Sequence, residues 1–394
     1  MNKIINKTPL QYNKRLSKIY NCNIFLKRED LQVIRSFKIR GAYNKITKLN
    51  EFEKNKGIVC ASAGNHAQGV AHVCSKLNIP CDIFIPLNSP LQKIKKIKYF
   101  GNDKCSINYY GDCFDECLEK AKIFTSNNDK IFIHPFDDID VIKGQGQIFN
   151  EVMHINPDII TTCIGGGGLA AGLCLENIDN KVKIYGSEPE GCASMQQSIK
   201  LNKNIKLDSI NNFVDGANVA KVGDLNFKIC KDKLNKVFEI SNGEICEEII
   251  NMYEYEGIIL EPAGVLSLCA LKYIPNIKNQ NIVCILSGGN NDPSRYPEII
   301  EKYLVYKNLR HYFIINFYQK PGELRKFVEN VLDKDTDIIR FEYIKKTNKT
   351  SDTALIGLEV SKESNINCLL KRLSNNNINY KKLENNDVLY SLLI

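Results

Sequence analysis

Short apolar runs alternate with helical spacings of apolar residues over roughly the first 300 residues. Strands that alternate with helices predict parallel βαβ units, covered by helices on both faces of an open twisted sheet. In such sheets, ligands bind where the carboxyl ends of strands lead into helix N-termini. The predicted strands and helices are Gly57–Cys60 with a helix through Leu77, Cys81–Pro86 with Leu91–Phe100, Ser106–Tyr110 with Phe114–Phe124, Ile159–Ile164 with Leu169–Leu175, Lys183–Ser187 with Ser194–Ile199, and a last strand at Ile282–Ser287. The polar, irregular stretch Leu201–Asp224 predicts a long loop.

The pattern changes near Asn308. The predicted segments then follow the order β-α-β-β-α-β, which is the ferredoxin-like arrangement. They are His311–Phe317, a helix with Leu324, Phe327, Val328 and Val331 at i, i+3, i+4 and i+7, the alternating Ile339–Tyr343, the strand Ala354–Val360, a helix with the same spacing at Ile366–Leu373, and Val388–Leu393. The sequence therefore predicts a small separate domain of about 85 residues.

Composition narrows the class of protein. The chain has 394 residues, of which 43% are apolar and 25% charged, as is typical of globular proteins. The polar segment Met1 to Arg15 predicts no secretory signal, and no apolar run is long enough to predict a membrane span. Fifteen scattered cysteines without a Cys-x-x-Cys motif predict reduced thiols in a cytoplasmic protein. With only five histidines, we expect no metal site.

The net charge of +8 is modest and spread along the chain. The densest basic patch is Lys93, Lys95, Lys96 and Lys98, and its spacing is typical of the solvated face of an amphipathic helix. We therefore expect no nucleic-acid partner.

The motif SFKIRG at 36–41 contains a candidate reactive amine. A lone lysine in a loop is solvated in most proteins, but Lys38 lies between aromatic Phe37 and a segment that opens a helix. An amine that forms a Schiff base must be partly desolvated, so that its neutral form is accessible. Lys38 is therefore a candidate nucleophile and base.

The motif ASAGNHAQG at 61–69 connects an apolar run to a helix. Its small residues would let backbone N–H groups approach a ligand, and a helix N-terminus favours a carboxylate. The motif is equally compatible with an ordinary βα turn, and His66 alone is more often structural than catalytic.

Four consecutive glycines, Gly165 to Gly168, follow an apolar strand and precede Leu169. Such a run lets successive N–H groups curl around a phosphate without Cβ clashes. It also loosely matches the dinucleotide fingerprint, with Glu188 twenty residues after Gly168, so the glycines alone leave nicotinamide dinucleotide binding open. A second turn after an apolar run, LSGGNN at 286–291, presents Ser287 as a possible partner for a heterocycle nitrogen.

Together these motifs resemble those of the biosynthetic threonine dehydratases (threonine ammonia-lyases), which are fold type II pyridoxal-phosphate enzymes related to tryptophan synthase β. The resemblance runs from Thr8 to Ile394, and its tail resembles a single ACT-like regulatory domain. Seven residues precede Thr8, fewer than in most relatives, so an N-terminal packing or oligomer contact is expected to be missing. The matching segments are Thr8-Pro9-Leu10, LKREDLQ (26–32), SFKIRGAY (36–43), ASAGNHAQGVA (61–71), GGGGLAAG (165–172), SEPEG (187–191), FVDGANVAKVG (213–223), EPAG (261–264) and LSGGNND (286–292).

The resemblance implies pyridoxal 5′-phosphate as the cofactor and gives each site residue a role. Lys38 would carry the cofactor as a Schiff base and act as general base, with Phe37 packed on the ring. The remaining assignments are Asn65 at the ring's 3′-oxygen, Gly165, Gly166, Gly167, Gly168 and Leu169 around the phosphate, Ser287 at the pyridine nitrogen, and Ser62, Gly64 and His66 at the substrate carboxylate.

The resemblance also implies an architecture and an activity. The expected fold is α/β with two subdomains of mostly parallel sheet in residues 1–308, the smaller one at roughly 41–137, and an α+β ACT-like domain at 309–394. The expected reaction converts L-threonine to 2-oxobutanoate and ammonia by β-elimination, as the first committed step of isoleucine biosynthesis. Isoleucine is the expected inhibitor and a homotetramer the expected assembly.

Other activities remain open on sequence alone. Catabolic serine/threonine dehydratases, serine racemase and threonine synthase share the cofactor motifs, although the ACT-like tail disfavours the first two. Two readings outside this class are a catalytically inactive amino-acid-binding regulator, which the intact Lys38, Asn65 and Ser287 disfavour, and a nucleotide-binding oxidoreductase.

Overall fold

The protein is described from a computed structural model that covers residues 4–344, 350–384, 387, 390 and 393. The chain divides into two compact units, Met1–Asp292 and Pro293–Ile394. The division falls before the helix at Tyr296–Tyr306, whereas the boundary predicted from sequence follows it.

The first unit contains ten strands and twelve helices among the described residues. The strands are β1 (Leu10–Tyr12), β2 (Asn23–Arg28), β3 (Ile58–Ala61), β4 (Cys81–Ile85), β5 (Cys105–Tyr109), β6 (Ile131–Phe132), β7 (Ile159–Cys163), β8 (Lys183–Pro189), β9 (Lys236–Ile240) and β10 (Asn281–Leu286). The helices are α1 (Lys14–Tyr20), α2 (Lys38–Lys48), α3 (Glu51–Lys56), α4 (Asn65–Leu77), α5 (Leu91–Gly101), α6 (Phe114–Asn127), α7 (Ile139–Val152), α8 (Gly168–Glu176), α9 (Ser194–Lys200), α10 (Asp224–Cys230), α11 (Asn242–Glu256) and α12 (Pro262–Cys269).

Two open sheets organise this unit. The larger has the strand order β1-β2-β10-β7-β8-β9, and only its edge pair β1–β2 is antiparallel. The smaller has the order β5-β4-β3-β6 and is parallel throughout. The prediction of mostly parallel α/β sheets is therefore confirmed.

The strand β7 shows why the glycine turn lies where it does. All five of its residues are buried, as expected of a central parallel strand that is covered on both faces. The helix α8 follows directly and buries Gly168 through Cys174, so almost no side of it faces water. A buried strand and a buried helix thus hold the tetraglycine turn between them at the carboxyl edge of the sheet.

The sequence patterns missed several elements of this unit. The strand β2 was missed because Lys27 and Arg28 interrupt its apolar pattern, although Lys27 is only 1% exposed. The strand β9 and the helices α7, α11 and α12 were also not predicted. The predicted loop at Leu201–Asp224 is confirmed, since no helix or strand forms until α10 begins at Asp224.

The second unit contains the helices α13 (Tyr296–Tyr306), α14 (Glu323–Val331) and α15 (Asn365–Asn375) and the strands β11 (Arg310–Tyr318), β12 (Thr336–Tyr343), β13 (Ser351–Val360) and β14 (Asn379–Lys382). The sheet is antiparallel with the order β12-β13-β11-β14. Phe313, Phe327 and Leu369 contribute to one apolar core between the sheet and the helices α14 and α15. The ferredoxin-like arrangement is confirmed, but its fourth strand is β14, which the sequence pattern did not predict. Most of the predicted strand Val388–Leu393 lies outside the described residues.

Two further features of the described residues are the length of their helices and the state of their cysteines. No helix in the described ranges has the length and apolarity needed to cross a bilayer. The cysteines are free thiols, and most of them are buried. Burial raises the pKa of thiols such as that of Cys60, which disfavours the reactive thiolate.

Candidate active site

A cavity opens at the carboxyl ends of β7 and β10. It brings together every residue that the sequence assigned to the cofactor, and it adds residues that had no assigned role. The lining residues are Phe37, Lys38, Asn65, Cys163, Gly165, Gly166, Gly167, Gly168, Leu169, Gly216, Glu261, Ala263 and Ser287.

Lys38 is the first residue of α2, and its amine is enclosed at the cavity wall. Its Nζ donates a hydrogen bond to the carbonyl oxygen of Pro135 at 3.1 Å, and it lies 5.4 Å from the ring centroid of Phe37. No carboxylate in the described residues lies within ion-pair distance of this amine. Desolvation therefore lowers the pKa of Lys38 to about 8, which makes its neutral form accessible near neutral pH.

The tetraglycine turn forms a cradle of backbone N–H groups at the start of α8. Gly166 passes so close to Phe136 that an added Cβ would lie 2.3 Å from its ring. Gly167 has a φ of +91°, in the left-handed region that disfavours other residues. Both positions thus require glycine, and the first N–H groups of α8 remain available for an anion.

Ser287 directly follows β10 and is 1% exposed. Its Oγ donates to the carbonyl oxygen of Ala263 at 3.2 Å, and rotation of the hydroxyl would redirect this one hydrogen to an acceptor at the cavity wall. A hydroxyl in this place offers a neutral hydrogen-bonding partner to a ring nitrogen.

Asn65 begins α4 and forms a hydrogen bond that the sequence did not suggest. Its Nδ2 donates to Oε1 of Glu261 at 2.7 Å. Burial raises the pKa of Glu261 to about 7, and the charge of Asp215 adds to this effect. Glu261 belongs to the matching segment EPAG, but a glutamate before a helix-opening proline looks like an ordinary helix start, so the pattern did not mark it as a site residue.

The three residues predicted to bind the substrate carboxylate are not among those that line the cavity. Ser62 uses its Oγ to accept a hydrogen bond from the backbone N–H of Gly64 at 3.1 Å. His66 is buried, and its Nε2 lies 3.0 Å from the carbonyl oxygen of Ile133 and donates to it. Burial, assisted by the charge of Lys38, lowers the pKa of His66 to about 3, so its ring is neutral and offers no positive charge to a carboxylate.

The groups around the cavity fit pyridoxal phosphate. An enclosed amine without a carboxylate partner suits its aldehyde, the glycine cradle suits its phosphate, and the hydroxyl of Ser287 suits its ring nitrogen. Lys38, the turn from Gly165 to Leu169, Asn65 and Ser287 would hold it, with Phe37 beside the ring. Fold and cavity together define the class of fold type II pyridoxal-phosphate enzymes.

Comparisons with known proteins agree with this class. The model of the family described as pyridoxal-phosphate dependent enzyme matches residues 1–288. The model described as the C-terminal regulatory domain of threonine dehydratase matches residues 301–393.

Curated relatives narrow the class further. The biosynthetic L-threonine dehydratase IlvA of Staphylococcus epidermidis is 45% identical over 99% of this chain and 95% of its own length. Its counterpart in Staphylococcus aureus is 43% identical over the same shares. The chain therefore belongs to the family of biosynthetic L-threonine dehydratases.

Solved structures share the fold of the larger part of the chain. The processed form of threonine deaminase isoform 2 from Solanum lycopersicum has a TM-score of 0.71 and 36% identity, covering 76% of this chain and 88% of the other. Maize serine racemase has a TM-score of 0.71 and 29% identity, covering 77% of this chain and 94% of the other. Backbone similarity alone thus does not separate these two activities.

Proposed function

We propose that this chain converts L-threonine to 2-oxobutanoate and ammonia by β-elimination, using pyridoxal 5′-phosphate. The observation that carries the proposal is the enclosed amine of Lys38, which has no carboxylate within ion-pair distance among the described residues and lies beside the tetraglycine cradle. The 45% identity to a protein named biosynthetic L-threonine dehydratase supports threonine as the substrate and isoleucine biosynthesis as the pathway.

Lys38 performs two tasks in this proposal. Its amine would hold the cofactor covalently between turnovers, and the same amine, when free, would be the base that removes the Cα proton. The bound cofactor supplies the electron sink that stabilises charge at Cα. A pKa near 8 suits a base that must be neutral when it accepts the proton.

Ser287 directs the outcome at the ring nitrogen. An aspartate there would keep the nitrogen protonated, whereas a neutral hydroxyl does not. A hydroxyl in this place would therefore favour rapid loss of the β-hydroxyl once the Cα proton is removed. Threonine loses its Cα proton and its hydroxyl as water, and the released enamine tautomerises and takes up water, so the net products are 2-oxobutanoate and ammonia.

Ser62, Gly64 and His66 are proposed to hold the substrate carboxylate. Because His66 is neutral and donates to Ile133, the backbone N–H groups of this turn would provide the contacts. The N-terminus of α4, which begins one residue after Gly64, adds a favourable dipole.

The second unit is proposed to bind isoleucine and to inhibit catalysis. The match of residues 301–393 to a regulatory domain of threonine dehydratase supports an amino-acid effector. We keep 1–308 as the proposed catalytic part and 309–394 as the proposed ACT-like part, and we propose a cytoplasmic homotetramer. Coupling between an effector and a catalytic site is typically about 1–3 kcal/mol.

Serine racemase is the second candidate, because its maize representative has the same TM-score as the threonine deaminase. That structure covers 77% of this chain, whereas the regulatory-domain match extends to residue 393, which favours the dehydratase. Rates of ammonia release from threonine and serine, together with the optical purity of recovered serine, separate the two.

The test of the proposed function is turnover of the purified chain with and without isoleucine. We expect threonine to be the preferred substrate over serine and phosphohomoserine, and isoleucine to inhibit. Removal of residues 309–394 should leave a catalyst that isoleucine no longer inhibits, with its visible cofactor absorbance as the control for folding. Racemisation of serine without threonine turnover would contradict the dehydratase, and equal inhibition of the shortened chain would contradict the regulatory role.

A further inference from the structure

A chain of four polar side chains leads from the helix α5 to the cavity. The Nζ of Lys96 donates to Oδ1 of Asn290 at 2.9 Å, and Nδ2 of Asn290 donates to Oδ1 of Asn65 at 2.7 Å. Asn65 in turn donates to Glu261 at 2.7 Å. The hydrogen bonds all run in one direction, from an ammonium group through two amides to a carboxyl group.

The orientation of both amides follows from groups whose chemistry is unambiguous. The ammonium of Lys96 can only donate, so Asn290 must turn its oxygen toward it. Nδ2 of Asn290 also lies 2.8 Å from the backbone carbonyl of Ile34, which can only accept. Asn65 therefore has to present its oxygen to Asn290 and its NH₂ group to Glu261.

This orientation determines which atoms of the Asn65 amide face the cavity. An amide NH₂ group has two hydrogens, and Glu261 takes one of them. The second is left for a ligand oxygen, since Asn65 lines the cavity. A flipped amide would present an oxygen instead, which would repel an anionic ring oxygen.

We propose that Lys96, Asn290 and Glu261 are positioning residues that hold the Asn65 amide ready to donate to the cofactor's ring oxygen, and that the protonation state of Glu261 is felt at the cofactor through this chain. The inference rests on the proposed function, because it assumes that pyridoxal phosphate occupies the cavity. Lys96, on the helix α5 beside the smaller sheet, thereby acts at the cofactor through Asn290 and Asn65.

The charged and titratable groups around Glu261 determine the sign of the expected effect. They come from four other segments of the first unit and are Lys38, Lys93, Lys96, Cys163 and Asp215. Burial and Asp215 raise the pKa of Glu261 to about 7, whereas Lys93 and Lys96 act to lower it. Loss of the positive charge at position 96 must therefore move the titration of Glu261 to higher pH.

The experiment follows the visible absorbance of the purified holoenzyme between about pH 6 and 9, alongside kcat and KM for threonine. The variants are Lys96→Met and Glu261→Gln, and the matched control is Lys95→Met, which changes an exposed neighbour on the same helix. Wild type should show an inflection near pH 7. Lys96→Met should move it to higher pH and lower kcat about tenfold with a smaller change in KM. Glu261→Gln, which still accepts from Asn65, should abolish the inflection, and Lys95→Met should match wild type.

The possible outcomes distinguish failure of this proposal from failure of the proposed function. An inflection that Lys96→Met leaves in place, or that survives in Glu261→Gln, overturns the proposal, as does a wild-type spectrum that does not change with pH. If Lys96→Met does not fold, Glu261→Gln alone still decides whether Glu261 is the titrating group. A wild-type protein that neither takes up pyridoxal phosphate nor turns over threonine would overturn the proposed function instead.

Discussion

The helix α2 carries two enclosed cationic side chains with different surroundings. Arg40 is paired with carboxylates, whereas Lys38 is not. Arg40 is 1% exposed, and its guanidinium bonds Glu29 and Glu151, each at 2.7 Å. Lys27, also 1% exposed, joins the same cluster by bonding Glu151 at 2.5 Å. Lys38, two residues before Arg40, has only the carbonyl of Pro135 as its hydrogen-bond acceptor in the described structure.

The pairing of each cation determines its pKa, and therefore whether the side chain stays charged or can act as a base. Carboxylates raise the pKa of Arg40 despite its burial, and at Lys27 they oppose the lowering that burial causes. At Lys38 nothing of comparable strength opposes desolvation, so the pKa falls to about 8. An enclosed cation thus remains inert where carboxylates pair it, and becomes a usable base where they are kept away.

The largest expected effect comes from removing the reactive amine. Lys38→Ala should lower threonine turnover by at least about 10³-fold and eliminate the visible cofactor absorbance. The apo variant should unfold at the temperature of the apo wild type or above it, because a desolvated amine is a cost to folding. Unfolding followed by circular dichroism is the control, and turnover retained by a folded variant would contradict the role of Lys38.

The paired cluster should respond through stability. Arg40→Leu leaves the buried Glu29 without its cation and should lower the free energy of unfolding by about 3–5 kcal/mol. The control is Lys206→Met, which breaks the exposed pair with Asp115 and should cost less than about 1 kcal/mol. Urea denaturation of both variants measures their free energies of unfolding. Equal losses in the two variants would show that the buried cluster contributes no more to stability than an exposed ion pair.

The low pKa of Lys38 predicts a pH dependence for cofactor uptake. Only the neutral amine attacks an aldehyde, so the rate at which apoprotein combines with pyridoxal phosphate should rise with pH and level off above about 8. Stopped-flow absorbance measures this rate, with a free lysine derivative as the control, whose rate should continue to rise toward about pH 10.4. A protein rate that follows the free amine would mean that Lys38 is not desolvated.

The smallest effect concerns the cradle. Gly167→Ala places a Cβ at φ +91° and 2.9 Å from the Cβ of Asn226, and should weaken pyridoxal-phosphate binding about tenfold. Gly257→Ala, at φ +63° with open space around it, is the matched control for the backbone strain alone. Both variants should lose about 1 kcal/mol of stability to backbone strain, and Gly167→Ala should lose more because of its contact with Asn226, but only Gly167→Ala should bind the cofactor more weakly. Equal affinities of the two variants for pyridoxal phosphate would contradict the proposed role of the tetraglycine turn in binding the phosphate.

Much of the fold could be predicted because its buried elements follow simple periods. The strand β7 lies within a residue of its predicted ends, and the helix α4 ends at the predicted Leu77, since continuous apolar runs and turn residues mark both elements. The strand β2 was missed partly because Lys27 is buried through its pairing with the distant carboxylate of Glu151. Long-range partners of this kind leave no trace in local periodicity.

The site was predictable where a backbone motif forms it, and less so where side chains from distant segments meet. The tetraglycine turn and Lys38 lie in one cavity as expected. The interpretation of the lysine patch on α5 as a solvated face fits the exposed Lys95 and Lys98 but is incomplete for the partly exposed Lys93 and Lys96, which bond Asp215 and Asn290. Those partners lie more than a hundred residues away, so local spacing could not show them.

The most direct measurement is to reduce the purified holoenzyme with borohydride, digest it and locate the pyridoxyl group by mass spectrometry. Reduction fixes the cofactor to whichever amine carries it. Because Lys38 is the enclosed amine without a carboxylate partner, the label should lie on the peptide that contains Lys38, and Lys27 should remain unlabelled. A label on another lysine, or a protein that takes up no pyridoxal phosphate, would contradict the account.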